Sequence, residues 1–158
     1  VMKGGVIQQL DDPHTIYNEP KNLYVASFIG SPTMNFIKGE IGGTAAAPSI
    51  AIGKGKVALK DYVAKSKPVV GQKIVFGARP EHLRINVGDE VGLSEAFDAT
   101  VDLIEPMGSD SLVWLKLAGQ ILSARVESRQ IYRPGEKIKV RFRVGLSSIF
   151  DAVSSERL

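Results

Sequence analysis

From Met34 onward, apolar and polar residues alternate with a two-residue period, which places successive side chains on opposite faces of a β-strand. The alternation predicts strands at Phe36–Ile41, Ser49–Ile52, Lys56–Leu59, Lys73–Arg79 and His82–Asn86. It continues through Phe97–Glu105, Ser111–Leu117, Ile121–Glu127, Lys137–Val144 and Ile149–Val153. Gly42-Gly43, Gly53-Lys54-Gly55, Gly88-Asp89, Gly108-Ser109, Ala118-Gly119 and Pro134-Gly135 separate them as turn signals. Many short strands with glycine-rich turns predict a mainly β protein, a small barrel or sandwich.

Before Met34 the pattern differs. Val1–Gln9 reads as two short strands around a Gly4-Gly5 turn, and its apolar pattern is already under way at Val1. The expectation is a remnant hairpin, residues 1–10, of an upstream domain. Asp12-Pro13 supplies an N-cap and a proline at the first helical position, predicting a short helix through Tyr17. Pro20 is read as the start of a second helix, with Tyr24, Val25, Phe28 and Ile29 on one face. Gly30 suits the residue after its end and Pro32 stops it from resuming, with Ser31 between them. Residues 11–33 are therefore a helical linker, and 34–158 form the β domain.

Composition narrows the function classes. The 158 residues are 44% hydrophobic and 23% charged, and none is cysteine, which excludes disulfides and thiolate metal sites. No apolar run approaches the roughly 20 residues of a membrane-spanning helix. Twenty basic against 17 acidic residues give a formal charge of +3, a mild excess. In Lys137-Ile138-Lys139-Val140-Arg141-Phe142-Arg143, alternation puts the cations on one face and the apolar residues on the other. That is a solvated face over a core; a single-strand nucleic-acid track would need aromatics beside the cations.

Catalytic chemistry is not visible. The phosphate loop G-x-x-x-x-G-K-[ST] is absent. Gly53-Lys54-Gly55-Lys56-Val57-Ala58 imitates a dinucleotide loop, but alternation on both sides makes it a hairpin turn. His14 and His82 lack metal-type spacing. Gly108-Ser109-Asp110-Ser111 has no nearby histidine base and reads as a turn. No catalytic, nucleotide-binding or metal-ligating residue is assigned.

Four stretches in order resemble one family: Phe28–Phe36, Gly77–Leu83, Ile104–Leu112, and Ile149–Asp151 with Glu156–Leu158. They are similar to the C-terminal portion of ATP-binding subunits of carbohydrate-importing ABC transporters, the maltose and glycerol-3-phosphate type. The resemblance implies an OB-type β-barrel regulatory domain, the TOBE domain, that carries no nucleotide itself. It implies that ATP and Mg are bound by the intact subunit upstream, and that the subunit works as a homodimer. It further implies permease partners, a possible regulatory protein, no nucleic acid, and a cytoplasmic, peripheral place on the inner face of a bacterial membrane.

The resemblance also singles out residues. Phe36 falls at a position linked to regulator contacts, with core packing as the favoured reading, and Arg79, Glu81 and His82 are candidates for partner or dimer contacts. Pro80 stiffens that corner, which either anchors a barrel turn or offers an inter-subunit ion pair. Gly30, Ser31, Pro32, Asn35, Gly77, Gly108, Ser109, Asp110, Phe150 and Asp151 are expected to be structural. Leu23 stands where enteric members carry a charge, which argues against an enteric-style inhibitor. Two other readings compete: an oxyanion sensor of molybdate type and an OB-fold nucleic-acid binder.

Overall fold

Two glycines at positive φ, Gly4 and Gly5, close a hairpin between β1 (Met2–Lys3) and β2 (Val6–Ile7). The computed structural model describes all 158 residues. Asp12 caps α1 (Pro13–Asn18) by accepting from the Thr15 N–H, as the Asp-Pro pair predicts. α2 (Leu23–Phe28) begins later than expected. Its cap is Asn22, which accepts from the Val25 N–H, while Pro20 lies buried before it. Leu23 at its first turn is half-buried, and the buried face is Val25 and Ala26. Phe28 instead stacks on Tyr24 and is 63% exposed. Gly30 follows the helix at φ +119, the left-handed turn that its place required.

The β region contains β3 (Asn35–Thr44), β4 (Ala47–Ile52), β5 (Gly55–Ala58), β6 (Lys73–Ala78) and β7 (Leu83–Ile85). It continues with β8 (Phe97–Pro106), β9 (Asp110–Leu117), β10 (Gln120–Glu127), β11 (Lys137–Phe142) and β12 (Ser148–Asp151). They form two five-stranded antiparallel sheets, ordered β12-β6-β3-β4-β5 and β10-β9-β8-β11-β7. Together they make the nearly closed, barrel-like OB-type arrangement that the alternation and the resemblance implied. Strand ends move by a few residues from the expected ones. Gly42-Gly43 is not a turn: both lie in β3 paired to Ser49 and Pro48, and the chain reverses at Ala45-Ala46. His82 closes a 3-10 turn, Pro80–His82, because Pro80 cannot donate to a ladder. Gly53-Lys54 is a hairpin turn between β4 and β5.

A single cluster of 26 buried residues fills the space between the sheets. Phe142 sits at its centre, edge-on to Phe76 at 5.4 Å and to Phe97 at 5.5 Å. Burying one such ring contributes about 1.5–3 kcal/mol. Lys137, Lys139 and Arg141 lie on the outer face of β11, bonded to Thr100, Asp98 and Asp89 respectively. The basic stretch is thus a locally paired surface over the core.

One side chain joins the sheets. Asn35, buried at the start of β3, donates to the Ser123 carbonyl at 2.8 Å and accepts from the Ser123 N–H at 2.8 Å. Its amide imitates a strand partner for β10, the edge of the second sheet. Asn35→Ala would leave both buried Ser123 groups without that partner, at about 1–3 kcal/mol each. Urea unfolding should show a loss of about 2–4 kcal/mol with unchanged m. A variant as stable as the parent would show that the amide contributes nothing to joining the sheets.

Candidate functional site

Arg79 ends β6 with its backbone extended (φ −73, ψ 149) because Pro80 follows. Its side chain leaves the barrel and runs under the linker, where only 1% of the residue remains exposed. Nη1 donates to the Ile29 carbonyl at 2.9 Å, just past the end of α2. Nε donates to the Tyr17 carbonyl in the last turn of α1 at 3.1 Å, and Nη2 donates to the same oxygen. These carbonyls are among the acceptors that a helix end leaves unpaired. The Tyr17 ring covers the guanidinium, 3.5 Å from Cζ to centroid. The Tyr17 hydroxyl donates to Glu81 Oε1 at 2.5 Å, closing the arrangement.

The surroundings fit this one cation. A Cβ on Gly30 would lie 3.0 Å from Arg79 Nη1. Burial pulls the Arg79 pKa down, while Tyr17 and Glu81 oppose the shift. Burial also raises the Tyr17 pKa, reinforced by its bond to Glu81. Of the two roles open to the Arg-Pro-Glu corner, the geometry displays an anchor within the chain. The enclosed guanidinium presents no free face for an ion pair with another subunit.

The other motif residues gather around the same joint. Ala26, Met34 and Phe150 form a second buried cluster, with Leu23, Phe36 and Val75 against it. Gly77 makes room: a Cβ there would sit 2.5 Å from Met34 Sδ and 3.1 Å from Phe150 Cε2. Phe36 packs edge-on to Phe150 at 6.3 Å and remains half-exposed in a groove of about 630 Å³. Leu23, Tyr24, Lys38 and Gln120 also line that groove.

Arg125 reaches from β10 to the Ser31 carbonyl at 3.0 Å and stands 3.4 Å from Asp110. Ser31-Pro32 is a cis peptide. Gly108 takes φ +99 in the turn before Asp110, and the Ser109 carbonyl accepts from the Ser128 N–H at 3.4 Å.

The last residues lace the linker to the barrel. The Leu23 N–H donates to Ser155 at 2.9 Å, Arg157 to Lys21 at 2.9 Å, and Leu158 to Ile149 at 2.8 Å. Asp151 accepts from the side chain of Gln72 and the N–H groups of Ser154 and Val153. These bonds hold its carboxyl down from 3.8 to about 2, with the Gln72 bond the largest cause.

The two histidines stand apart from this joint's chemistry. His82 is half-buried, which lowers its pKa, and its Nδ1 has no partner. His14 is exposed on α1. No group of three or more His, Cys, Asp or Glu side chains could hold a metal ion. Tyr17 and Arg125 escaped sequence reasoning. Tyr17 lies 62 residues from Arg79, and no local spacing links them.

The sequence matches the MalK OB fold domain over residues 30–83 and the TOBE domain over residues 76–150. The chain belongs to the MalK-type OB-fold and TOBE family. Among its relatives are ABC transporter ATP-binding proteins. An uncharacterized one, YcjV of Escherichia coli O157:H7, is 34% identical over 96% of this chain and 41% of its own length. The oligosaccharides import ATP-binding protein MsmX of Bacillus subtilis (strain 168) is 31% identical over 100% of this chain and 43% of its own. The multiple sugar-binding transport ATP-binding protein MsmK of Streptococcus mutans is 35% identical over 94% and 40%. The TOBE-type chain thus spans about two fifths of the length of these relatives. In fold it is similar to the cytoplasmic molybdate-binding protein ModG, with a TM-score of 0.57 and 17% identity over 73% of this chain and 94% of that one.

Two outcomes follow from the joint. Arg79→Met keeps much of the apolar stem but removes the donors to Tyr17 and Ile29. Limited trypsin digestion should cut at Lys21 in the linker at least about tenfold faster, while the barrel keeps its far-UV spectrum. An unchanged cutting rate would mean that Arg79 does not hold the helices. For Asp151, the folded pKa is depressed, so its stabilisation is complete above about pH 4 and lost as the pH falls towards 2. Asp151→Asn should flatten that part of the stability–pH curve, measured by thermal unfolding between pH 2 and pH 5. An identical acid slope in the variant would contradict the assignment.

Proposed function

We propose that residues 34–158 form the regulatory and dimerisation domain of an ATP-binding subunit that powers import of a sugar or a glycerol phosphate. In this reading residues 11–33 are its linker and residues 1–10 the last hairpin of an ATPase domain. ATP and Mg²⁺ are bound and ATP is hydrolysed by that domain, which also contacts the permease subunits. The intact subunit is then the enzyme, placed at the inner face of the bacterial membrane, and its barrel pairs with a second copy.

One observation carries this reading: the family's motif residues converge on the joint between linker and barrel, around buried Arg79. A joint held by a buried, fully engaged cation transmits movement of the linker to the barrel. The sugar-import names of two relatives, MsmX and MsmK, supply the substrate class. The half-exposed Phe36 groove is the place we assign to a regulatory protein, with Leu23, Tyr24 and Lys38 around it. Likeness to ModG is one of fold alone, and the family's sugar-import relatives favour the transport reading over a molybdate sensor.

The test is made in a strain lacking its own importer ATPase, supplied with the full-length subunit or with a version lacking residues 34–158. The expected result is sugar uptake with the full-length subunit. The shortened subunit should still bind ATP but lose dimerisation in sedimentation and lose regulated uptake. Undiminished dimerisation and regulation in the shortened subunit would overturn the proposal.

A further inference from the structure

Arg157 enters the structure between the linker and the barrel, its backbone bonded to Lys21 and bridged to Phe150. Its side chain is 12% exposed, and neither Nε nor Nη1 has a hydrogen-bond partner. The only carboxylate side chain within 4.0 Å of it is that of Glu19, 3.9 Å from Nη1, too far for a hydrogen bond. The same Glu19 oxygen lies 3.2 Å from Lys65 Nζ, and both of those side chains are more than half exposed. A buried guanidinium with idle donors is unusual and asks for an explanation.

The position of this group supplies one. Arg157, Lys65 and Glu19 form the wall shared by two clefts, one of about 580 Å³ and the other of about 400 Å³. The smaller cleft runs between α1 and the barrel, with His14 and Asn18 on the helix side and Tyr62 and Ser147 on the barrel side. Glu19 is its single carboxylate, against the two cations. Glu19 follows the end of α1, and its long exposed side chain is free to swing away. A carboxylate held so loosely by two cations behaves as a tethered occupant of an anion site.

We infer that the cleft between α1 and the barrel binds a small phosphate-bearing anion, which displaces the Glu19 carboxylate from Lys65 and Arg157. A phosphate carries about 1.5 to 2 negative charges at neutral pH and more acceptor oxygens than a carboxylate, so it outcompetes the tethered monoanion. The cleft exceeds the size of a bare phosphate, leaving room for the organic part of an ester. Bound there, the anion ties α1 to the Lys65 loop and to the C-terminal segment, tightening the linker on the barrel. This inference does not depend on the transport reading.

Calorimetry on the full chain at low ionic strength, with inorganic phosphate and glycerol 2-phosphate as probes, tests it. Binding with a Kd in the region of about 1 mM or below is expected. Tighter binding of the ester would identify an organic phosphate as the ligand; tighter binding of phosphate would identify the free anion. Lys65→Gln should weaken binding about tenfold, and Glu19→Gln should strengthen it severalfold by removing the competitor. Lys116→Gln, on the far sheet and paired to Asp102, should leave it unchanged. Arg157→Gln should abolish it; because that residue also packs at the joint, the two exposed variants decide the matter. A second readout is slower tryptic cutting in the linker when phosphate is present. Absence of binding up to about 10 mM of either probe, or weaker binding in Glu19→Gln, would overturn the inference.

Discussion

A cation taken out of water must be met by partners on every side, and the linker–barrel joint is organised around that requirement at Arg79. The guanidinium finds its acceptors at the ends of two helices, 62 and 50 residues earlier in the chain. It can do so only if Pro80 turns its backbone outward, Gly30 leaves room for Nη1, and Tyr17 covers its face. A lysine would not replace it, because a compact ammonium cannot reach both carbonyls and also lie flat against a ring. The identities of these four positions are therefore tied together, although none belongs to the barrel's main core.

The barrel core imposes a looser demand. Its 26 members are aliphatic or aromatic side chains whose total volume and alternation matter more than any single identity. At the joint, identity is fixed by contact: Gly77 for lack of space, Asn35 for an amide that copies a strand edge, Arg79 for its fork of donors. Short, recognisable motifs arise where substitution is most restricted. This accounts for four separated stretches carrying the family resemblance while the strands between them read only as a generic pattern.

Much of the fold was legible because periodicity and turn chemistry are local. The Gly53-Lys54 hairpin, the two-faced Lys137–Phe142 strand and the Gly30 stop all follow from residues within a few positions. Pro20 misled because proline fits a first helical turn as well as the irregular segment it occupies, and Asn22 offered the better cap. Gly42-Gly43 misled because paired glycines also occur inside a strand, where Gly43 takes φ +77 beside the real reversal. At the site, Gly30, Pro80 and Asn35 were visible as special positions, but their common purpose was not. The contacts that join them, Arg79 to Tyr17 and Asn35 to Ser123, cross 62 and 88 residues. No window along the chain contains both ends of either contact.

The two linker helices are held in different ways, and that difference has a mechanical consequence. α2 buries Val25 and Ala26, and Ala26 packs with Met34 and Phe150, so apolar contact binds it to the barrel. α1 buries no residue and depends on Arg79, on the Tyr17–Glu81 bond, and on polar contacts around Glu19. Polar contacts can be exchanged one for another at small net cost, whereas lifting an apolar face exposes it all at once. A pull along the linker would therefore release α1 first and leave α2 travelling with the barrel. The Arg157–Lys65 cleft opens beneath the helix that yields first, so an anion bound there would act where the least free energy is needed to alter the joint.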